Sequence, residues 1–226
     1  MRVELVKTFQ FEAAHAPAGR LHGHSYVVEI KCAGECDERL GWLVDYGEIT
    51  DAFDPLYRAL DHRRLEDVNG LGDTSIAGVE TWLTSRLTGV VPRFHSVRVH
   101  IGGDCAFAAQ RVSECDAFGE PPRVRFSFES AHYLPNVPVD HKCRRMHGHS
   151  FRVEAASKRL EALEPVLREV YDALDRRCLN EIAGLENATS EQVARWIWDH
   201  AQPRASGLIS VTVAETCTAR CVYRGE

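Results

Sequence analysis

Along residues 3–11 (VELVKTFQF) and 124–131 (VRFSFESA) apolar and polar side chains alternate, the period of two that predicts strands. Residues 25–32 and 150–155 carry the same alternation and predict a second strand after each. The period then changes. Ile49, Phe53, Leu56, Tyr57 and Leu60 recur at helical spacing, as do Leu160, Leu163, Leu167, Val170, Tyr171 and Leu174. Second helices are predicted after Thr74-Ser75 and after Thr189-Ser190, where Thr189-Ser190-Glu191-Gln192 offers capping-box chemistry. Late strands are predicted at residues 97–101 and 209–214. Each half therefore reads strand, strand, helix, helix, strand, strand, an α+β unit with its helices on one face of an antiparallel sheet.

The two halves also repeat in residue identity. Phe9-Gln-Phe11-Glu12-Ala13-Ala14-His15 returns as Phe126-Ser-Phe128-Glu129-Ser130-Ala131-His132, and His22-Gly23-His24-Ser25 returns as His147-Gly148-His149-Ser150. Tyr57-Arg58-Ala59-Leu60-Asp61-His62 returns as Tyr171-Asp172-Ala173-Leu174-Asp175-Arg176. Matches in a constant order predict a tandem duplication. Gly102-Gly103 and Pro121-Pro122 mark a junction without long periodicity, so the boundary is expected near residue 118, between units 1–118 and 119–226.

Composition narrows the class of protein. With 226 residues, 44% apolar and 27% charged, the chain fits a folded soluble protein rather than a disordered one. No apolar run approaches the roughly 20 residues that span a bilayer, and the N-terminus lacks a signal-peptide core. A net charge of -6 argues against nucleic acid as the partner. The eight cysteines include no C-x-x-C pair, which disfavours thiolate zinc ribbons and thioredoxin-like redox motifs. A cytoplasmic protein with reduced thiols is expected.

Six of the eleven histidines fall into one repeated pattern: His15-x6-His22-x-His24 and His132-x14-His147-x-His149. Histidines at i and i+2 of a strand share a face, and a third at the end of the neighbouring strand closes a set of three imidazoles. Three neutral imidazoles with a free fourth position are how catalytic zinc is usually held. Metal binding is expected at His132, His147 and His149, with a second site at His15, His22 and His24.

At these residues the chain resembles the 6-pyruvoyltetrahydropterin synthase / 6-carboxytetrahydropterin synthase family. Phe128-Glu129-Ser130-Ala131-His132, the run from His141 to Phe151 with Cys143-x3-His147-Gly148-His149, and Glu215-Thr216-Cys217 carry it in the second half. That half is most similar to the bacterial 6-carboxytetrahydropterin synthase of queuosine precursor synthesis. Residues 41–46 and Leu60-Asp61-His62 carry the resemblance in the first half. It implies T-fold (ββααββ) units whose antiparallel sheets assemble into a barrel-like ring. It also implies a 7,8-dihydroneopterin triphosphate substrate, a Zn2+ cofactor, a cysteine that moves protons together with an Asp-His pair, and a glutamate that anchors the pterin.

Carried over residue by residue, neither half is complete. The first has Asp61 and His62, but Ala18 stands four positions before His22 where the cysteine belongs, and Ile101 where the glutamate belongs. The second has Cys143 and Glu215, but Arg176 follows Asp175 in place of histidine. The losses are complementary. A composite site is expected: metal ligands His132, His147 and His149, with Cys143 and Glu215, from the second half, and Asp61 and His62 from a first half. Lys142, Arg144 and Arg145 are candidate partners for the triphosphate. A lyase giving 6-carboxytetrahydropterin, acetaldehyde and triphosphate is the leading expectation. Alternatives are the 6-pyruvoyl product and a non-catalytic pterin- or zinc-binding paralogue. The expected assembly is a homo-oligomer, three chains forming a pseudo-hexamer, without nucleic acid or membrane partners.

Overall fold

The histidine triplets lie where two long hairpins end. In the computed structural model, which describes residues 2–37, 40, 42–102, 107, 109–112, 121–216 and 220–225, β1 (Arg2–His15) runs antiparallel to β2 (His22–Glu35). Their register pairs Arg2 with Glu35 at one end and His15 with His22 at the other. β3 (Arg63–Arg64) lies parallel to β1 at Ala13 and Ala14, and β4 (Phe94–Ile101) pairs with β2, giving the order β3-β1-β2-β4. The second sheet repeats the hairpin: β6 (Arg123–His132) and β7 (His147–Ser157) pair from Arg123–Ala156 to His132–His147. β5 (Gln110–Val112), β8 (Leu208–Ala214) and β9 (Cys221–Tyr223) complete the order β5-β6-β7-β8-β9.

Two helices cover a face of each sheet: α1 (Tyr46–Leu60) and α2 (Ile76–Leu87) on the first, α3 (Leu160–Leu174) and α4 (Ser190–Ala201) on the second. Local chemistry starts three of them. The side chains of Asp45, Ser75 and Thr189 accept from the amides of Gly47, Gly78 and Gln192, satisfying donors that a helix N-terminus leaves orphaned. The apolar stripes then seal two separate cores. Phe11, Tyr26, Ile30, Ile49, Phe53 and Leu83 build one; Phe128, Phe151, Leu163, Leu167, Leu174 and Ile197 build the other. Phe11 stacks on Tyr26 at 4.8 Å, and Phe128 on Phe151 at 4.9 Å. No helix of the described residues is long and apolar enough to cross a membrane.

The halves differ in their last strand. The expected pair of late strands is present in the second half as β8 and β9, whereas β5, which follows β4, joins the second sheet. The open upstream edge of β6 lies next in the chain and takes β5 as an antiparallel return, Gln110 opposite Arg125. The expected boundary near residue 118 lies outside the described residues.

The two hairpins meet back to back at the His-Gly-His segments that open β2 and β7. A Cβ on Gly23 would stand 2.3 Å from the Gly148 Cα and 2.7 Å from the Ala13 carbonyl oxygen; a Cβ on Gly148 would stand 2.3 Å from Gly23 and 2.7 Å from the Ser130 oxygen. Backbone meets backbone here, so no side chain is able to turn aside. Gly23→Ala or Gly148→Ala is therefore expected to destabilise the chain by about 3 kcal/mol, the upper range for overpacking. Gly72→Ala, whose added Cβ would meet nothing within 4 Å, is the control and should lie within about 0.5 kcal/mol of the parent. Denaturant midpoints check both; an unshifted Gly23→Ala midpoint would contradict the close crossing.

Candidate metal and catalytic site

The register explains how each triplet converges. His15 and His22 are cross-strand partners, and His24 follows two residues along β2 on the same face; His132, His147 and His149 repeat the arrangement on β6 and β7. In the first half, the His15 Nε2 lies 3.1 Å from the Nε2 atoms of both His22 and His24. All six rings are buried.

The opposite ring nitrogens fix the tautomers. The Nδ1 atoms of His15 and His22 lie 2.9 Å from the carbonyl oxygens of Thr74 and Arg20. Those of His132 and His147 lie 2.7 Å from the carbonyls of Ala188 and Arg145. A carbonyl only accepts, so each Nδ1 carries the proton and each neutral ring turns an Nε2 lone pair inward. Burial drives the His15 and His24 rings down to about 4 and His149 to about 3, and holds His22 and His147 low as well, so these imidazoles stay uncharged at neutral pH. The His147 Nε2 is buried without a hydrogen-bond partner. Converging lone pairs on neutral, anchored rings are the donor set a divalent metal ion requires, and both triplets fit one.

The third imidazole of each triplet is anchored differently. His24 Nδ1 lies 2.7 Å from the Glu129 carboxylate, and His149 Nδ1 lies 2.9 Å from the Glu12 carboxylate. Neither glutamate was singled out in the sequence as more than part of a repeat. The signal was there, since both occupy the same place three residues before the first histidine.

Beside the second triplet the structure gathers the remaining expected residues within a single chain. The turn after α1 delivers Asp61 and His62, and the amide of His62 donates to the Glu12 carbonyl at 2.6 Å. His62 has φ of 54°, a left-handed conformation uncommon outside glycine, and this swings its ring across to the second half. There it stacks on His147 with 4.4 Å between centroids. One ligand atom from each of His62, Cys143 and His147 falls within a 4.8 Å group. Asp61 holds the His62 Nδ1 at 2.9 Å and accepts from the Glu12 amide at 3.1 Å. Burial raises the Asp61 carboxyl, but the bond and charge of His62, with the Glu12 amide and Lys142, outweigh it and keep the group below its usual range.

The cations beside Cys143 do not depress its thiol. Burial, then the Glu215 carboxylate, push it above its usual range despite Lys142 and Arg145 nearby. Glu215 follows β8 rather than lying within it, and its Oε1 stands 3.0 Å from the His132 Nε2 and 3.3 Å from the His149 Nε2.

The candidate basic residues separate. Arg144 donates to the carbonyls of Pro135 and Val137 and so staples its own loop. Lys142 stands 3.8 Å from Asp61, and Arg145 donates to the His62 carbonyl at 3.1 Å. Arg145 also lines a cleft between the halves with Arg63, Arg64 and Met146. The first-half counterparts lie in matching places without matching chemistry: Ala18 in the turn Pro17–Gly19 where Cys143 occupies Lys142–Arg144, and Arg176 at φ of 54° where His62 stands. The charge of Arg176 reaches His22 and His24.

A family model described as 6-pyruvoyl tetrahydropterin synthase matches residues 4–110 and again residues 123–226. The 6-carboxy-5,6,7,8-tetrahydropterin synthase of Synechocystis is 41% identical over 118 residues, which is 43% of this chain and 88% of that protein. The dihydroneopterin monophosphate aldolase of Pyrococcus furiosus is 25% identical over 123 residues, 53% of this chain and 96% of that protein. The solved structure of Caenorhabditis elegans 6-pyruvoyl tetrahydropterin synthase aligns with a TM-score of 0.40 at 18% identity, covering 45% of this chain and 96% of that one.

If both triplets hold metal, the chain loaded with zinc and freed of excess should retain about two equivalents. His22→Ala and His147→Ala should each remove about one, and the double variant both, since each loss takes away one of three imidazoles. Elemental analysis checks the stoichiometry. Unchanged zinc in the double variant would exclude the triplets as the sites.

Proposed function

Because the chain belongs to the 6-pyruvoyl tetrahydropterin synthase family, we propose that it is a zinc-dependent lyase with one working site per chain, built on the second-half triplet and completed by Asp61 and His62. The proposed reaction converts 7,8-dihydroneopterin triphosphate to 6-carboxy-5,6,7,8-tetrahydropterin with release of acetaldehyde and triphosphate. The observation that carries this reading is the meeting of His62 from the first half with Cys143 and His147 from the second. The 41% identity to the Synechocystis 6-carboxytetrahydropterin synthase supports the choice of product.

His132, His147 and His149 would hold the zinc, which as a Lewis acid would lower the pKa of a substrate hydroxyl and stabilise charge on its oxygen. The chain's own groups then handle protons and orientation. The Asp61 carboxylate, 2.9 Å from the His62 Nδ1, would favour the proton on that nitrogen and leave the other ring nitrogen to accept or return one. Cys143 is a free thiol beside it and would be the second group to move a proton of the substrate, and the reducing cytoplasm proposed for this protein keeps it free. The Glu215 carboxylate offers two acceptor oxygens to the paired N–H donors of a pterin edge. Arg63, Arg64 and Arg145 in the adjoining cleft supply positive charge for the triphosphate. The first-half site, with Ala18, Ile101 and Arg176 in the corresponding places, keeps Asp175 but lacks the cysteine, the histidine and the glutamate, and is assigned no turnover.

Free sheet edges support an oligomer. β4 bounds the first sheet and β9 the second, and neither edge is covered by another strand among the described residues. We place three chains in the assembly, with first halves and second halves in separate rings. Native mass measurement should give multiples of three chains; a monodisperse dimer would refute that arrangement.

Mass spectrometry of products after incubating the zinc-loaded chain with 7,8-dihydroneopterin triphosphate should show 6-carboxytetrahydropterin. A 6-pyruvoyl product, or an aldolase product such as the name of the Pyrococcus relative describes, would reassign the reaction. Unchanged substrate with zinc bound would favour a binding protein. His62→Ala and Glu215→Gln should each lose turnover by about 100-fold or more while zinc at the second triplet stays bound. Undiminished turnover in His62→Ala would overturn the composite site.

A further inference from the structure

The six imidazoles are not anchored alike. Two in each triplet lean on backbone carbonyls of their own half, whereas the third leans on a carboxylate of the other half: His149 on Glu12, and His24 on Glu129. The exchange is reciprocal. Each carboxylate is also fixed by a serine of its own half, Ser25 Oγ donating to Glu12 at 2.6 Å and Ser150 Oγ to Glu129 at 2.8 Å. The serines cross over in turn, the amide of Ser25 donating to Ser150 Oγ and the amide of Ser150 to Ser25 Oγ, both at 3.1 Å.

We propose that Glu12 and Glu129 are positioning residues that act crosswise: Glu12 of the first half sets the metal affinity of the second-half triplet, and Glu129 of the second half sets that of the first. Geometry excludes other roles for them. Each carboxylate faces the Nδ1 side of its imidazole, away from the converging Nε2 atoms, so neither is itself a ligand. Glu129 is fully buried and Glu12 is 9% exposed, so neither is open to a substrate. What remains is the outer hydrogen bond that fixes a ligating ring's tautomer and orientation, and whose removal typically weakens metal binding 10- to 100-fold. A carboxylate does this more strongly than a carbonyl, since it places negative charge against the donating Nδ1. Because the crossing is reciprocal, neither half holds its metal at full affinity from its own residues. This inference rests on the proposed function only in that the triplets bind metal.

Metal affinity measured on the full chain, rather than turnover, tests it. In a His22→Ala background only the second triplet remains, and in a His147→Ala background only the first. Zinc affinity is read by competition with a chromophoric chelator. With His22→Ala, adding Glu12→Ala should weaken zinc by about 10- to 100-fold, while adding Glu129→Ala changes it less than about 3-fold. With His147→Ala the two effects should exchange. Glu12→Gln, which keeps an acceptor oxygen without the charge, should recover part of the loss. Melting of each metal-free variant shows whether it folds, and the Gln variants replace any Ala variant that does not. Equal losses at both sites, losses confined to a glutamate's own half, or no loss would overturn crosswise positioning while leaving the metal sites intact. Failure of both backgrounds to bind zinc would overturn this inference together with the metal sites themselves.

Discussion

Two glycine Cα atoms pressed together at the crossing of the hairpins fix the relation of every other functional group. Any side chain at Gly23 or Gly148 would hold the two strands apart by more than a hydrogen bond tolerates. With β2 and β7 in contact, a continuous polar path runs from His149 through Glu12, Ser25, Ser150 and Glu129 to His24. Carboxylates are costly to bury unless hydrogen-bonded, and the path supplies those bonds. Burial pushes both carboxyls up, against the opposing bonds of the serines. The seam between two apolar cores is thus held by directional bonds, which specify one orientation where apolar contact alone would permit several.

The same glutamates tie the seam to the turns that follow α1 and α3. The side chain of Glu12 reaches His149, its amide donates to Asp61, and its carbonyl accepts from the His62 amide. One residue thereby sets the His149 imidazole and the Asp61-His62 pair in a common frame. The left-handed backbone at His62 is strained for a residue with a side chain, and the short bond to Glu12 helps to hold it. Arg176 shares the conformation and the matching bond to Glu129, so the backbone of the first-half site is kept where its chemistry is not.

Much of this was legible in the sequence, for a physical reason. Strand alternation, helical spacing and caps are local, and repetition of the whole order made each half a check on the other. The triplets were legible because residues two apart on a strand share a face, whatever the rest of the fold does. The meeting of Asp61 and His62 with Cys143 was expected from complementary losses, yet whether the pair came from the same chain depended on how the hairpins cross, which no local pattern encodes. The roles of Glu12 and Glu129 were hidden for the same reason, because their partners lie 137 and 105 residues away. Glu215 and the thiol of Cys143 show the limit for electrostatics. Lys142 and Arg145 flank Cys143 in sequence and act to depress its thiol, but burial and a distant carboxylate decide its direction.

Arg176 opposite His62 has a consequence for how such a site is able to change. In an assembly of identical single units, any substitution is copied into every site at once, so a loss of cysteine or histidine silences them all. Here the two halves are spelled by different stretches of one chain, so a substitution beside Arg176 leaves the residues around His62 unchanged. One architecture is written twice, with a cation beside three imidazoles in one copy and a fourth imidazole in the other.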